Sequence, residues 1–159
     1  TISLEGKNFW ILKSSPIKEK YIFNSKALLQ IIMTVPAIIL SSILLLIFLK
    51  LSLFDFLMTL CVPVLFAVLL SYGGLLINLL FPKMEWEEET QVIKQSVACL
   101  ITMFGGMVLS LIPLGLFLLL PNFSLHLIAL ISGAIYLVLL VVCVSILFIK
   151  GKKLLNKIQ

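Results

Sequence analysis

The chain has 159 residues, of which 62% are hydrophobic and only 12% are charged, and its formal net charge at pH 7 is +5. Soluble domains contain about 45–50% apolar residues, so this composition excludes an ordinary soluble protein. A basic chain could bind nucleic acid, but the positive charge lies in the segments that precede, connect and follow the apolar stretches, and we expect no nucleic-acid partner.

The first 26 residues mix aromatic and aliphatic side chains with lysines, which is typical of a helix in the membrane interface. Ser15 can cap a helix and Pro16 fits its first position, so a second helix should start there and continue into the first span. Two interpretations stay open: an anchor that holds the span in register, or a lever that a partner can push. Residue 1 is Thr rather than Met, and we expect the chain to be an excised or processed piece of a longer protein.

Four long apolar stretches follow, and each exceeds the ~20 residues that an α-helix needs to cross the hydrocarbon core. A helix satisfies its own backbone polar groups there, which favours helices over short strands. The sequence therefore predicts an all-α, polytopic membrane protein with four transmembrane helices and an N-terminal interfacial helix. The predicted segments are a juxtamembrane region at 1–26, spans at about 27–49, 54–81, 92–120 and 124–149, a loop at 82–91, and a basic tail at 150–159.

The twelve cationic residues are all lysines, and they are distributed unequally among the segments outside the spans. Five precede the first span, two lie between the second and third, and four follow the fourth, whereas Lys50 alone lies in the first short loop. By the positive-inside rule, eleven against one predicts that both termini and the middle loop are cytoplasmic.

The middle loop contains four of the seven acidic residues, and Trp86 lies among them. A large aromatic side chain in such a place is a natural docking residue. The simpler alternative is a solvated connector whose glutamates favour the N-terminus of the following helix.

The spans contain few side chains that could take part in catalysis, ion transfer or metal binding. Asp55 lies at the outer edge of the second span, and no Glu, Asp, Lys or His lies near a midplane, where an ionisable residue would indicate a proton or ion path. The single His126 follows an outer turn, and the three cysteines are scattered singly, which does not fit a metal site or a catalytic triad. No P-loop pattern is present. We therefore expect no catalytic residue, no metal, no cofactor and no enzymatic activity in this chain.

Proline and glycine suggest where the spans can bend, because proline removes a backbone hydrogen bond. The third span contains both residue types and is the best candidate for a moving helix. The predicted hinge and packing positions are Pro36, Pro63, Gly105, Gly106, Pro113 and Gly133.

Two segments go beyond generic membrane sequence: LEGKNFWILKSSP at 4–16 and FPKMEWEEETQVIKQS at 81–96. Together, at this spacing and with these flanking spans, they resemble ABC-2-type exporter permeases, in particular a group of bacterial ABC transporter permease subunits. The likeness covers essentially the whole chain. It implies the C-terminal portion of a longer permease in the bacterial cytoplasmic membrane.

The resemblance also implies a separate ABC ATP-binding subunit as partner, which the cytoplasmic elements of such permeases contact. Other implied partners are the remaining helices of the permease, or a second copy, and the lipid bilayer. Carried over by position, the ATPase-coupling residues would be Glu5, Gly6, Trp10, Lys13, Pro16, Pro82, Glu85, Trp86, Glu89, Lys94 and Gln95. The middle loop is short for a coupling helix, and the substrate does not follow from the resemblance.

Two other classes of protein remain as alternatives. A self-contained small four-helix transporter would need a membrane-embedded carboxylate to exchange protons for its substrate, and the spans contain none near a midplane. A membrane interaction protein, such as an immunity or assembly factor, would use the bundle only as a platform.

Overall fold

The structure is a computed structural model that describes residues 19–82 and 96–157. Within these ranges the chain forms helices joined by short connections, and no strand is present. The helices are α1 (Glu19–Leu49), α2 (Leu53–Leu80), α3 (Val97–Ser110), α4 (Ile112–Leu119) and α5 (Leu125–Lys157).

Four helical segments are long and apolar enough to cross a membrane: Lys20–Leu49, Leu53–Leu80, Val97–Leu119 and Leu125–Gly151. The third of these comprises α3 and α4. The prediction of an all-α, multi-pass membrane protein with four transmembrane helices is therefore confirmed. The predicted interfacial helix falls on residues 1–26, of which 1–18 lie outside the described residues.

The observed helices differ from the predicted spans at several boundaries. Residues 19–26 are helical and continuous with the first span, because no proline or glycine interrupts them. The last helix continues through the predicted basic tail as far as Lys157. The third span is not one helix, since a turn at Leu111 separates α3 from α4.

Serine residues determine where three of the helices begin. The side-chain oxygen of Ser52 accepts a hydrogen bond from the amide of Asp55 at 3.2 Å, and Ser96 does the same for Cys99 at 3.1 Å. Ser124 accepts from the amide of Leu127 at 3.4 Å. Each serine satisfies one amide that the first turn of a helix leaves without an intrahelical partner.

The contacts between helices define a simple arrangement around α2. Its early residues contact early residues of α5 and its late residues contact late ones, so α2 and α5 are parallel and pack most extensively against each other. Helix α1 packs antiparallel to α2 on one side, and α3 packs antiparallel to it on another. We call the end where α1 begins and α2 and α5 finish the terminal end. The opposite end, with connections 50–52 and 120–124, is the loop end.

Candidate functional site

The terminal end contains the hydrophobic core of the described bundle. Phe23 of α1 is 1% exposed and packs with buried leucines of α2 and α5. The leucines are Leu75, Leu76, Leu79 and Leu147, and Tyr72 and Phe148 pack partly against them. Three helices are thus joined by one aromatic side chain at the end where the chain enters and leaves the bundle.

A glycine permits this close packing. A Cβ atom built on Gly151 of α5 would lie only 2.7 Å from Cε2 of Phe23, which is too close for a real contact. Glycine at this position therefore lets the Phe23 ring approach the α5 backbone. A second contact between α1 and α5 lies close by in the sequence. Nζ of Lys20 in α1 lies 5.4 Å from the centroid of the Phe148 ring in α5, within the range of a cation–π interaction.

Two polar contacts between α1 and α2 fix the register of these helices near the core. The hydroxyl of Ser71 donates to the carbonyl oxygen of Ala27 at 2.8 Å, and the Tyr72 hydroxyl lies 3.2 Å from the Asn24 side-chain oxygen. Hydrogen bonds between helices add directional attraction in a bilayer, where the apolar environment offers no hydrophobic drive for helix association. These contacts orient α1 relative to α2.

The predicted ATPase-coupling residues fall mainly beyond the described ranges. Pro82 is described, and it is exposed just past the end of α2. The other ten lie outside the described residues: Glu5, Gly6, Trp10, Lys13, Pro16, Glu85, Trp86, Glu89, Lys94 and Gln95. Their segments connect to Glu19, Pro82 and Ser96, and all three connection points lie at the terminal end.

The predicted hinge and packing residues lie in different environments. Pro36 and Pro63 lie within α1 and α2, each of which stays continuous as a helix. A Cβ atom on Gly106 would meet Leu70 of α2 at 3.1 Å, and one on Gly133 would meet Val62 of α2 at 3.7 Å, so both glycines line helix contacts. Gly105 has open space around it.

Pro113 is the one proline in the described spans that lies next to a helix break. Pro113 occupies the first turn of α4. Leu111 lies between α3 and α4 and is the C-terminal cap of α3. The amide of Leu111 donates to the carbonyl of Val108 at 3.2 Å, which is the spacing of a 3₁₀ turn. The Gly115 amide then donates to the Leu111 carbonyl at 2.8 Å and starts the regular ladder of α4.

The loop end contains a contact that sequence reasoning missed. Nδ1 of His126 at the start of α5 lies 3.2 Å from Oδ1 of Asp55 in the first turn of α2. The His126 ring also meets Phe54 edge to face, with centroids 5.1 Å apart. Asp55 and His126 are 71 positions apart in the sequence. The signal that could have indicated their contact is the predicted topology, which puts both residues at the outer ends of spans.

Among residues 19–82 and 96–157, no group of three or more His, Cys, Asp or Glu side chains could hold a metal ion. An open groove of about 610 Å³ runs along α3, but every side chain that lines it is apolar. The lining residues are Leu100, Ile101, Phe104, Gly105, Val108 and Leu109.

The chain matches no protein-family model, no curated protein and no solved structure. The likeness of segments 4–16 and 81–96 to ABC-2-type permeases therefore remains an expectation from the sequence.

Proposed function

We propose that this chain is the membrane-spanning permease portion of an ATP-driven, ABC-2-type exporter, which couples a separate ATPase subunit to substrate movement. One observation carries the proposal beyond the resemblance. The two segments that resemble coupling elements, 4–16 and 81–96, connect to the same end of the bundle, and that end contains the core. A partner bound to both segments would therefore act on three helices that are already joined by Phe23.

The helix lengths support transmission of such a motion. At 1.5 Å per residue, α1 is about 46 Å long and α5 about 50 Å, whereas the hydrocarbon core is ~30 Å thick. Because residues 19–26 and 150–157 are helical, both helices extend past the predicted spans 27–49 and 124–149 at the terminal end. A displacement of either extension would move a whole helix, since neither has a described break.

The orientation is part of the same proposal: the terminal end faces the cytoplasm of a bacterial cell. Eleven of twelve lysines belong to segments that connect to the helices at this end. In a variant without the three native cysteines, single cysteines at Asn8, Trp86 and Asn156 should resist an impermeant thiol reagent in intact cells. A cysteine at Asn122, in the loop end, should react. Labelling at position 86 from outside would reverse the orientation.

Coupling is tested by Trp86→Ala in the full-length permease. Aromatic anchors usually dominate docking energy, so we expect a loss of about 2 kcal/mol or more in ATPase association, with normal membrane insertion. Phe123→Ala is a matched control, because Phe123 is an aromatic residue exposed at the loop end. Reversing the charge of Glu87 or Glu88 should have a milder, salt-dependent effect.

The outcomes separate the classes of function. Wild-type transport, ATPase binding and insertion in Trp86→Ala would end the coupling role of the middle loop. Failure of the wild-type chain to co-purify with any ATP-binding subunit would favour the interaction-protein alternative. A self-contained proton-coupled transporter is less well supported, because Asp55 is the only acidic residue in the four helical spans and lies in the first turn of α2.

A further inference from the structure

We propose that Leu111 is a hinge in the third span. In this proposal a hydrogen bond from the Tyr136 hydroxyl holds the hinge in its observed conformation. This inference goes beyond the proposed function and does not depend on an ATPase partner. It rests on a carbonyl group that proline deprives of its helical donor and on the side chain that replaces that donor.

The backbone around Pro113 creates an acceptor in need of a partner. In a continuous α-helix, the carbonyl of Leu109 would accept a hydrogen bond from the amide of residue 113, four positions on. Proline has no amide hydrogen. The Leu111 amide donates to the carbonyls of Val108 and Leu109, which are three and two positions back rather than four, so the regular ladder ends here. The Leu109 carbonyl thus lacks its regular helical donor, and because an apolar environment makes a poorly satisfied carbonyl costly, a further donor stabilises it.

Tyr136 of α5 supplies that donor. Its hydroxyl donates to the carbonyl oxygen of Leu109 at 3.0 Å, and the residue is only 2% exposed. The ring packs against Phe66 of α2, with centroids 5.1 Å apart and an interplanar angle of 40°. Contact with a second helix thus holds the hydroxyl in place, so the hydrogen bond does not depend on a freely rotating surface side chain.

Pro63 provides a comparison. It shows that the combination of a helix break and a short interhelical hydroxyl bond is specific to the third span. Pro63 removes the helical donor to the carbonyl of Thr59, and the Ser42 hydroxyl lies 3.4 Å from that carbonyl. Ser42 is, however, closer to the carbonyl of Ile38 in its own helix, at 2.8 Å. Helix α2 is also unbroken at Pro63. A short interhelical hydroxyl bond and a helix break coincide only at Pro113 in the described spans.

The packing on either side of Leu111 indicates what the hinge would separate. Helix α3 packs on α2, where Gly74 faces Thr102 and Gly106 faces Leu70. Helix α4 packs instead on α5. No Cα atom of α3 comes within 8 Å of a Cα atom of α5. The Tyr136 side chain therefore links two helices whose backbones stay apart, and its release would free α3 and α4 to change their relative angle.

Tyr136→Phe removes the hydroxyl and keeps the ring. In the full-length protein in lipid nanodiscs, we expect hydrogen exchange at amides 110–112 and 114–116 to accelerate by roughly threefold to tenfold, as for loss of one interhelical hydrogen bond. Spin labels at Met103 and Leu118, both exposed on the bundle surface, should give a broader distance distribution. Tyr72→Phe is the matched control, because it removes a hydroxyl contact between helices at the terminal end.

Pro113→Ala tests the chemistry directly, because alanine restores an amide that can donate to Leu109. Alone, it should slow exchange at amides 110–112 and narrow the distance distribution. In its presence, Tyr136→Phe should have no further effect. The proposal is overturned if Tyr136→Phe changes neither measurement, if its effect is undiminished in the Pro113→Ala background, or if exchange rises equally at residues 69–79. Should Tyr136→Phe fail to fold, an unchanged distribution in Pro113→Ala alone would overturn it.

Discussion

The two ends of the bundle are built from similar residues but are packed in different ways. At the terminal end, Phe23 is enclosed by leucines from two other helices, whereas Phe48 of the same helix is 79% exposed near the loop end. Both residues are equally apolar. Lipid tails are as apolar as leucine, so hydrophobicity alone does not decide which phenylalanine is buried in a membrane protein. Close backbone approach decides it, and Gly151 provides that approach to Phe23.

The two ends also differ in how firmly their helices are joined to one another. The terminal end joins α1, α2 and α5 by a common core and by the Ser71–Ala27 hydrogen bond. The contacts described at the loop end are an exposed side-chain pair, one edge-to-face ring contact and helix caps. We therefore expect substitutions at the terminal end to reduce stability far more than matched substitutions at the loop end.

The largest effect is expected for Phe23→Ala. Loss of a buried phenylalanine typically costs 3–5 kcal/mol, and we expect about 3 kcal/mol in the free energy of unfolding, measured by denaturant titration in mixed micelles. Phe48→Ala should change it by less than about 0.5 kcal/mol, because this side chain contacts lipid whether or not the helices are packed. Equal losses for the two variants would contradict the contrast between the ends.

A smaller effect is expected for Gly151→Ala. The added Cβ would overlap the Phe23 ring, and overpacking of this kind costs about 1–3 kcal/mol. Gly115→Ala is the matched control in α4, because no atom lies within 4 Å of the added Cβ there. That change should leave stability unaltered or raise it slightly, since alanine favours helix more than glycine does. A stable Gly151→Ala protein would show that Phe23 can move without cost.

The sequence was sufficient to predict the four spans because span length and hydropathy follow directly from the thickness of the bilayer. It was less informative about where helices end. The start of α3 at Val97 depends on capping by Ser96, and the break at Leu111 combines the missing amide of Pro113 with a hydroxyl from α5. Nothing near Pro113 in the sequence indicates that Tyr136 is its partner.

Contacts between residues that are distant in the sequence were also not predictable, because the sequence around one residue does not indicate its partner on another helix. Many small residues occur in the spans, and the sequence alone does not show which of them face another helix. Gly106 and Gly133 line contacts with α2, whereas Gly105 next to the first has open space. The predicted coupling residues remain a prediction from the sequence, because ten of the eleven lie outside the described residues.

The smallest effect is expected at the loop end, for the pair of Asp55 and His126. The side chains are 37% and 51% exposed, and exposed pairs typically contribute about 0.2–1 kcal/mol. A double-mutant cycle with Asp55→Asn and His126→Gln should give a coupling energy in this range that decreases as salt is added. Ser96→Ala serves as a comparison, because it removes an N-cap at the start of α3, away from this pair, and should cost about 1 kcal/mol independently of salt. A coupling energy above about 2 kcal/mol would mean that the loop end is held together as firmly as the terminal end.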